Sequence, residues 1–193
     1  DDIAFIAHIA LYMKDRRYIR VNGRPLLLVY RAGLLPDASA TAARWRSWWR
    51  DMQGEEIYIA SVHAHGNAAD KYHEAPTKYG FDASVEFPPV GILAKEIEIA
   101  DKACSVSFAG RVYDYEHMVE QGKASVPEAY VKFRGVMPSW DNTARRKANG
   151  FIFQGSRPDL YRNWLHEALT FTRWFPQGTD RNLVFINAWN EWA

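Results

Sequence analysis

The order of apolar and polar positions along the chain predicts alternating helices and strands. Apolar residues recur at helical spacing over residues 3–14 and 39–52, and a third helix is predicted over 159–175. Between these helices the apolar positions form continuous runs, a pattern typical of strands that are buried on both faces, as in parallel sheets. The predicted strands cover residues 26–30, 57–62, 81–87, 133–138 and 183–188, with a shorter strand at 111–115 that leads into a helix around 116–120.

Three tryptophans mark one face of the second predicted helix. Trp45, Trp48 and Trp49 stand at positions i, i+3 and i+4, so they lie on the same side of the helix. An apolar stripe of this kind usually faces the core of the protein, and we predict that these indoles are buried. The alternative is a platform on which sugar rings stack.

Alternating strands and helices favour an α/β fold with right-handed crossovers. Two architectures satisfy this pattern, an open doubly wound sheet and a (β/α)8 TIM-type barrel, which usually needs about 250 residues. Neither G-x-G-x-x-G nor G-x-x-x-x-G-K-[ST] occurs, so an open nucleotide-binding sheet loses support. We therefore expect residues 1–193 to form a single (β/α)8 barrel domain, truncated at both ends, that lacks its first strand or strands and its last helix.

Composition narrows the class of protein further. The chain is 48% hydrophobic and 15% aromatic, which is enough apolar mass for a sizeable core and argues against disorder. Its 24 basic and 23 acidic residues leave a net charge of +1, so charge gives no reason to expect a nucleic-acid partner. No segment approaches the ~20 apolar residues of a membrane span. The single cysteine, Cys104, fits a reducing compartment, and we expect a cytoplasmic protein.

The residues that follow the predicted strands suit carbohydrate chemistry. In a parallel barrel the functional groups lie at the C-terminal ends of the strands, where we expect them to open onto one cleft. Aromatic rings there can stack on the C–H faces of sugars, while carboxylates, amides and imidazoles can bind sugar hydroxyls. Neither a Ser-His-Asp signature nor a nucleophile elbow is present. The predicted substrate-binding residues are Tyr30, His63, His65, Glu86, Trp140, Asp141, Arg145, Trp189, Asn190 and Trp192.

Glu191 is the predicted catalytic residue. Making or breaking a glycosidic bond needs two carboxyl groups about 5–10 Å apart. Trp189 and Trp192 flank Glu191, and apolar walls can raise the pKa of a carboxyl group toward neutrality, where it can exchange protons. The alternative is that Glu191 only caps a helix or pairs with an arginine, as many strand-end carboxylates do.

Two other groups of residues are candidate ligand sites. His63 and His65 stand on alternate strand positions and point to the same side, so they could begin a metal site. A metal needs three or four converging ligands, however, and the remaining histidines match no such motif. We expect imidazoles that bind hydroxyls, no metal and no cofactor. Arg145 and Arg146 form a pair too short for a nucleic-acid footprint, and one of them is a candidate contact for an anionic or hydroxyl-rich ligand.

Four sequence blocks resemble a known family. They are RYIRVNGRP at 17–25 with Tyr30-Arg31, GFD at 80–82 with EFPP at 86–89, PSWDNTARR at 138–146, and NAWNEWA at 187–193. Their order and density resemble the WbsX-type glycosyltransferase family, which is similar to glycoside hydrolase family 99, the endo-α-mannosidases. The resemblance covers nearly the whole chain.

The resemblance implies a (β/α)8 barrel that acts on α-linked, mannose- or rhamnose-type surface polysaccharide such as O-antigen or lipopolysaccharide chains. In the mannosidase relatives, the first of two glutamates spaced three apart acts as a base on the sugar's own 2-hydroxyl, and the second is an acid to the leaving group. Carried over, the first is Glu191, with Asn190 as its neighbouring amide, and the second would follow Ala193. We therefore expect a fragment that ends between the two catalytic carboxylates.

The direction of the reaction stays open between hydrolase and glycosyltransferase. The absence of a diphosphate-binding motif slightly favours hydrolase-type chemistry. The alternative from another class is a non-catalytic carbohydrate-binding or polysaccharide-assembly module on the same barrel.

Overall fold

A computed structural model describes residues 1–64, 74–98, 108–176 and 182–189. In chain order its helices and strands are α1 (Asp2–Met13), β1 (Arg20–Val21), β2 (Arg24–Tyr30), α2 (Ala38–Gln53), β3 (Tyr58–Val62), β4 (Ala83–Val85), β5 (Arg111–Asp114), α3 (Tyr115–Lys123), β6 (Val131–Val136), α4 (Thr143–Arg146), β7 (Phe151–Gln154), α5 (Pro158–Trp174) and β8 (Val184–Ile186). Short 3₁₀ helices cover Ala32–Leu34, Pro76–Tyr79 and Lys147–Asn149.

Aspartates fix the beginnings of three helices. The side chain of Asp1 accepts hydrogen bonds from the backbone of α1, Asp37 does so for α2, and Asp114 does so for α3. A carboxylate at this position satisfies an amide that has no partner within the helix and also complements the helix dipole. Helix α2 ends at Gly54, whose φ of +70° suits glycine, the residue that adopts the left-handed region at no steric cost.

The chain divides into two compact units, and strand β6 contributes its first half to one and its second half to the other. In the first unit, β1 and β2 form an antiparallel hairpin around Asn22-Gly23, where both residues have positive φ. Strands β2, β3, β4 and the first half of β6 then pair in parallel, in that order.

Helices α1 and α2 cover the core of the first unit. Trp45 and Trp49 of α2 are buried and pack with Ile57 and Ile59, and Trp48 is partly buried against the same cluster. The stripe of tryptophans on α2 is therefore core, as predicted, and is not a sugar platform.

In the second unit, the second half of β6 pairs in parallel with β8, and β5 pairs in parallel with β7. Helices α3 and α5 pack on a core that contains Tyr115, Met137 and Trp164. The hydroxyl of Tyr115 donates a buried hydrogen bond of 2.6 Å to the carbonyl of Met137, just beyond the end of β6. Burial raises the pKa of Tyr115, so its phenol stays a neutral donor.

The predicted helices and the parallel pairing of the five long predicted strands are confirmed, with shifts of one or two residues at most ends. Strand β4 is shorter than the predicted 81–87, although the amides of Asp82 and Glu86 still bond to neighbouring strands. The predicted strand at 111–115 corresponds to β5. It pairs with β7, a strand that was not predicted, and the two form a separate two-stranded sheet. An α/β fold with parallel strands is shown; a closed barrel and a single domain remain predictions.

Candidate functional site

Three predicted site residues of the first unit lie at the C-terminal ends of neighbouring parallel strands. Tyr30 is the last residue of β2 and is 56% exposed, while His63 and Glu86 directly follow β3 and β4. The amide of His63 donates to the carbonyl of Val85, and that of Glu86 to the carbonyl of Phe133, so the ladder fixes both backbones. The structure thus brings these residues to one edge of the sheet.

The strand register shows that Tyr30 and Glu86 use opposite faces at that edge. Tyr30 pairs in register with Val62, and Val62 pairs in register with Val85. The side chains of these three residues therefore lie on the same face of the sheet. Glu86 instead reaches Lys132, whose Nζ lies 4.0 Å from Glu86 Oε1. Because Lys132 pairs in register with Ser84, it belongs to the other face.

Lys132 is a charged neighbour of the site that was not singled out from sequence. Its Nζ lies 2.9 Å from Glu128 Oε1 as well as near Glu86, and its side chain is only 17% exposed. The ammonium therefore sits between two carboxylates and offsets their negative charge. The sequence signal for Lys132 is a charged residue beside the apolar run of β6. The predicted strand begins one residue later, at 133, and therefore leaves Lys132 out.

In the second unit, Trp140 and Asp141 follow β6. The carbonyl of Trp140 accepts a hydrogen bond from Phe153, and its ring is partly buried against the core. Asp141 Oδ1 accepts from both the amide and the hydroxyl of Thr143, at 2.9 and 2.7 Å. One oxygen of Asp141 thus holds the start of α4, and a role of Asp141 in substrate binding stays a prediction.

The loop after Asp141 is fixed by Asn142, which is not among the predicted substrate-binding residues. Asn142 is buried, and its Oδ1 accepts a 2.7 Å hydrogen bond from the amide of Phe151 at the start of β7. The loop presents Arg145 on α4, where its side chain is exposed. Arg145 is placed so that it can reach a ligand in solution, and its predicted ligand contact is untested.

Trp189 follows β8, the parallel neighbour of β6. Its side chain is 66% exposed, which leaves most of the indole accessible to a sugar ring. Two residues before Trp189, Asn187 continues the ladder, because its amide donates to the carbonyl of Val136 at 2.8 Å. Trp140, Asp141 and Trp189 thus all follow the C-terminal ends of two paired strands.

Four predicted residues lie outside the described part of the chain: His65, Asn190, Glu191 and Trp192. The histidine pair and the predicted base therefore stay predictions, as does the convergence of the strand ends on one cleft. Among the described residues, no group of three or more His, Cys, Asp and Glu side chains could hold a metal ion. Within the same ranges, no helix is long and apolar enough to cross a membrane.

These features define an α/β protein with aromatic and acidic side chains at the ends of parallel strands. A family model described as "Glycosyltransferase WbsX" matches residues 1–193, and the chain belongs to this glycosyltransferase family.

Two curated relatives match the chain over its whole length. Over 193 residues the chain is 40% identical to the uncharacterized protein WxcX of Xanthomonas campestris pv. campestris, in strain B100 and in strain ATCC 33913. The match covers 100% of this chain and 27% of each relative, so the chain spans about a quarter of their length. No solved structure matches. The similarity to glycoside hydrolase family 99 stays a prediction.

Proposed function

We propose that this chain is part of an enzyme that acts on glycosidic bonds of α-linked, mannose- or rhamnose-type surface polysaccharide, with Glu191 as the base. The observation that carries the proposal is the placement of Trp140, Asp141 and the exposed Trp189 in the segments that follow the paired parallel strands β6 and β8. Membership of the WbsX family supports a carbohydrate substrate, and the α-linked, mannose- or rhamnose-type character is what the resemblance of the sequence blocks implies.

The proposed chemistry proceeds through the sugar's own 2-hydroxyl. Glu191 takes the proton of this hydroxyl as its oxygen attacks the anomeric carbon, and the departing oxygen takes a proton from an acid. A second hydroxyl then attacks the anomeric carbon and gives its proton to the deprotonated acid. The bond between the 2-oxygen and the anomeric carbon breaks, and Glu191 returns its proton to the 2-oxygen. Water as the second hydroxyl gives hydrolysis, whereas a sugar hydroxyl gives transfer, so one site can support either direction.

The described residues have supporting roles in this scheme. We assign stacking of a sugar ring to Trp189 and hydroxyl contacts to Tyr30, His63, Asp141 and Arg145. Glu86 lies beside Lys132, and its side-chain oxygens can accept hydrogen bonds from hydroxyls.

A product assay in labelled water tests the proposal. The full-length protein is incubated in H₂¹⁸O with the surface polysaccharide of its source, and with defined α-linked mannose and rhamnose oligosaccharides. Mass spectrometry should show either ¹⁸O at new reducing ends, which means hydrolysis, or longer unlabelled chains, which means transfer. The Glu191→Gln variant should show neither product.

The second candidate function is a carbohydrate-binding or polysaccharide-assembly module without turnover. The exposed indole of Trp189 favours it, since stacking alone needs no base. If the wild-type protein binds the oligosaccharides but forms neither product, the proposed enzymatic function is overturned and the binding module is established.

A further inference from the structure

Two hydrogen bonds of Asn187 fix the backbone where the chain leaves strand β8. The amide of Asn187 donates to the carbonyl of Val136 on β6, at 2.8 Å. The side-chain Nδ2 of Asn187 donates to the carbonyl of Pro88, at 2.5 Å, a contact that joins residues 99 positions apart. Asn187 therefore ties the end of β8 both to its neighbouring strand and to the segment that follows β4.

The next residue has a backbone conformation that L-residues rarely adopt. Ala188 has a φ of +54°, in the left-handed region, where its Cβ crowds the backbone. Such conformations persist where the surrounding structure fixes them, and they concentrate at functional sites. Here the two hydrogen bonds of Asn187 precede the strained residue directly, and the exposed Trp189 follows it.

We propose that Asn187 is a positioning residue for the carbohydrate site. By fixing the backbone at 187 and 188, it sets the direction in which the chain continues to Trp189; in the sequence, the proposed base Glu191 stands two residues further on. This inference rests on the proposed function. A positioning role has large consequences, because a displacement of about 1 Å at a reacting group can cost on the order of 10²-fold in rate.

The chemistry of the contact explains why an amide is needed. The carbonyl oxygen of Pro88 can only accept a hydrogen bond, so its partner must donate. Aspartate has nearly the same shape as asparagine, but its ionised form has no proton to give and faces the carbonyl oxygen with a negative charge. Protonated aspartic acid has an O–H and can replace the amide donor.

This difference gives a test with a pH signature. In the full-length protein, Asn187→Asp should lower kcat at least about tenfold at pH 8, and the ratio of its kcat to wild type should rise as the pH falls to 5. Asn187→Ser, which has no group that titrates in this range, should give a ratio that stays flat. Dividing by wild type at each pH removes the titration of all other groups, and circular dichroism confirms that each variant is folded.

Two substitutions at position 188 separate backbone direction from general disturbance. Ala188→Gly should keep kcat within about twofold of wild type, since glycine accepts the left-handed conformation freely. Ala188→Val should lower kcat as Asn187→Ser does, because a β-branched residue resists that conformation.

The outcomes distinguish this inference from the proposed function. A kcat ratio for Asn187→Asp that equals that of Asn187→Ser at every pH would overturn the donor role. Full activity of Asn187→Asp at pH 8, together with an inactive Glu191→Gln, would overturn the positioning role of Asn187 and leave Glu191 as the proposed base. Turnover by Glu191→Gln would instead overturn the proposed base, whatever Asn187 does.

Discussion

At the scale of single residues, Asp82 shows how a partly buried charge is held where the strands begin. Its carboxylate accepts hydrogen bonds from Arg46 at 2.7 Å, from Arg24 at 2.9 Å and from the amide of Ile59 at 2.9 Å. Burial, the largest single influence, opposes ionisation, but the bonds and charges of these partners together outweigh it. The pKa of Asp82 therefore lies below its usual range.

The lowered pKa predicts how stability depends on pH. A carboxyl whose folded pKa is below its unfolded value, about 3.9, stabilises the fold above that pH and loses this contribution as the pH falls through the folded value. Asp82→Asn should cost about 1–3 kcal/mol of unfolding free energy at pH 7, because it removes a charged acceptor from three donors. The difference from wild type should shrink as the pH falls below 4.

Urea denaturation at pH 7 and at steps down to pH 3 measures this difference. Asp51→Asn is the matched control, since Asp51 is exposed on α2 and should change stability by less than about 0.5 kcal/mol. A gap between wild type and Asp82→Asn that keeps its size down to pH 3 would contradict the account of the pKa.

A second prediction at this scale concerns the exposed indole of Trp189. Trp189→Ala should weaken binding of an α-linked oligosaccharide at least about tenfold, or ~1.4 kcal/mol, since it removes the stacking face. Trp174→Ala is the control, because Trp174 is even more exposed, at 76%, yet lies at the end of α5 and outside the predicted site. Isothermal titration calorimetry compares them, and equal affinities for both variants would remove Trp189 from the site.

At the scale of elements, the contact between α3 and α5 depends on one glycine. A Cβ placed on Gly122 would lie 2.8 Å from the ring of Trp164, which is fully buried on α5. The carbonyl of Gly122 also accepts a 2.6 Å hydrogen bond from the buried guanidinium of Arg134. The helix is therefore drawn close to its neighbours at a point where no side chain fits.

This close approach predicts an unusual sign for a helix substitution. Gly122→Ala should destabilise by about 1–3 kcal/mol through overpacking, although the same change in an open helix stabilises by up to about 1 kcal/mol. Combined with Trp164→Phe, its cost should be smaller by at least about 0.5 kcal/mol, because the smaller ring makes room. Chemical denaturation of the two single variants and the double variant measures this coupling; strict additivity would contradict the contact.

The elements also show what the sequence could and could not predict. The long helices have strong periodic patterns of apolar residues, and strands such as β2 and β3 form continuous apolar runs. These elements were therefore predicted with nearly correct ends. Strand β7 has only four residues after a tight loop, and its pairing with β5 depends on contacts between distant segments that periodicity does not report. Strand β1 has only two residues, too few to give a hydrophobic pattern, and it was not predicted.

For the candidate site, the sequence predicted residues at strand ends but not their local partners. Tyr30, His63 and Glu86 lie where strand ends were expected, because buried apolar runs end where polar residues begin. The bond from Asn187 to Pro88 and the contact of Lys132 with Glu86 depend on side chains meeting across the fold. No spacing rule along the chain predicts such meetings.

At the scale of the whole molecule, a parallel α/β fold occurs together with membership of a glycosyltransferase family and with a sequence in which Trp189 and Trp192 flank Glu191. The family is shown over residues 1–193, and the described strands place aromatic and acidic side chains at their C-terminal ends. In the proposed function, Glu191 carries the central chemical step, the removal of the proton from the sugar's 2-hydroxyl.

Measuring rate and affinity on one variant tests this claim most directly. In the full-length protein, Glu191→Gln keeps the volume and an acceptor oxygen but cannot take a proton. Turnover should fall by about 10²–10⁴-fold, or roughly 3–6 kcal/mol of barrier, while loss of a charged hydrogen bond should weaken glycan binding by only about 1–2 kcal/mol. Comparable weakening of both would make Glu191 a binding residue, and unchanged turnover would contradict its role as the base.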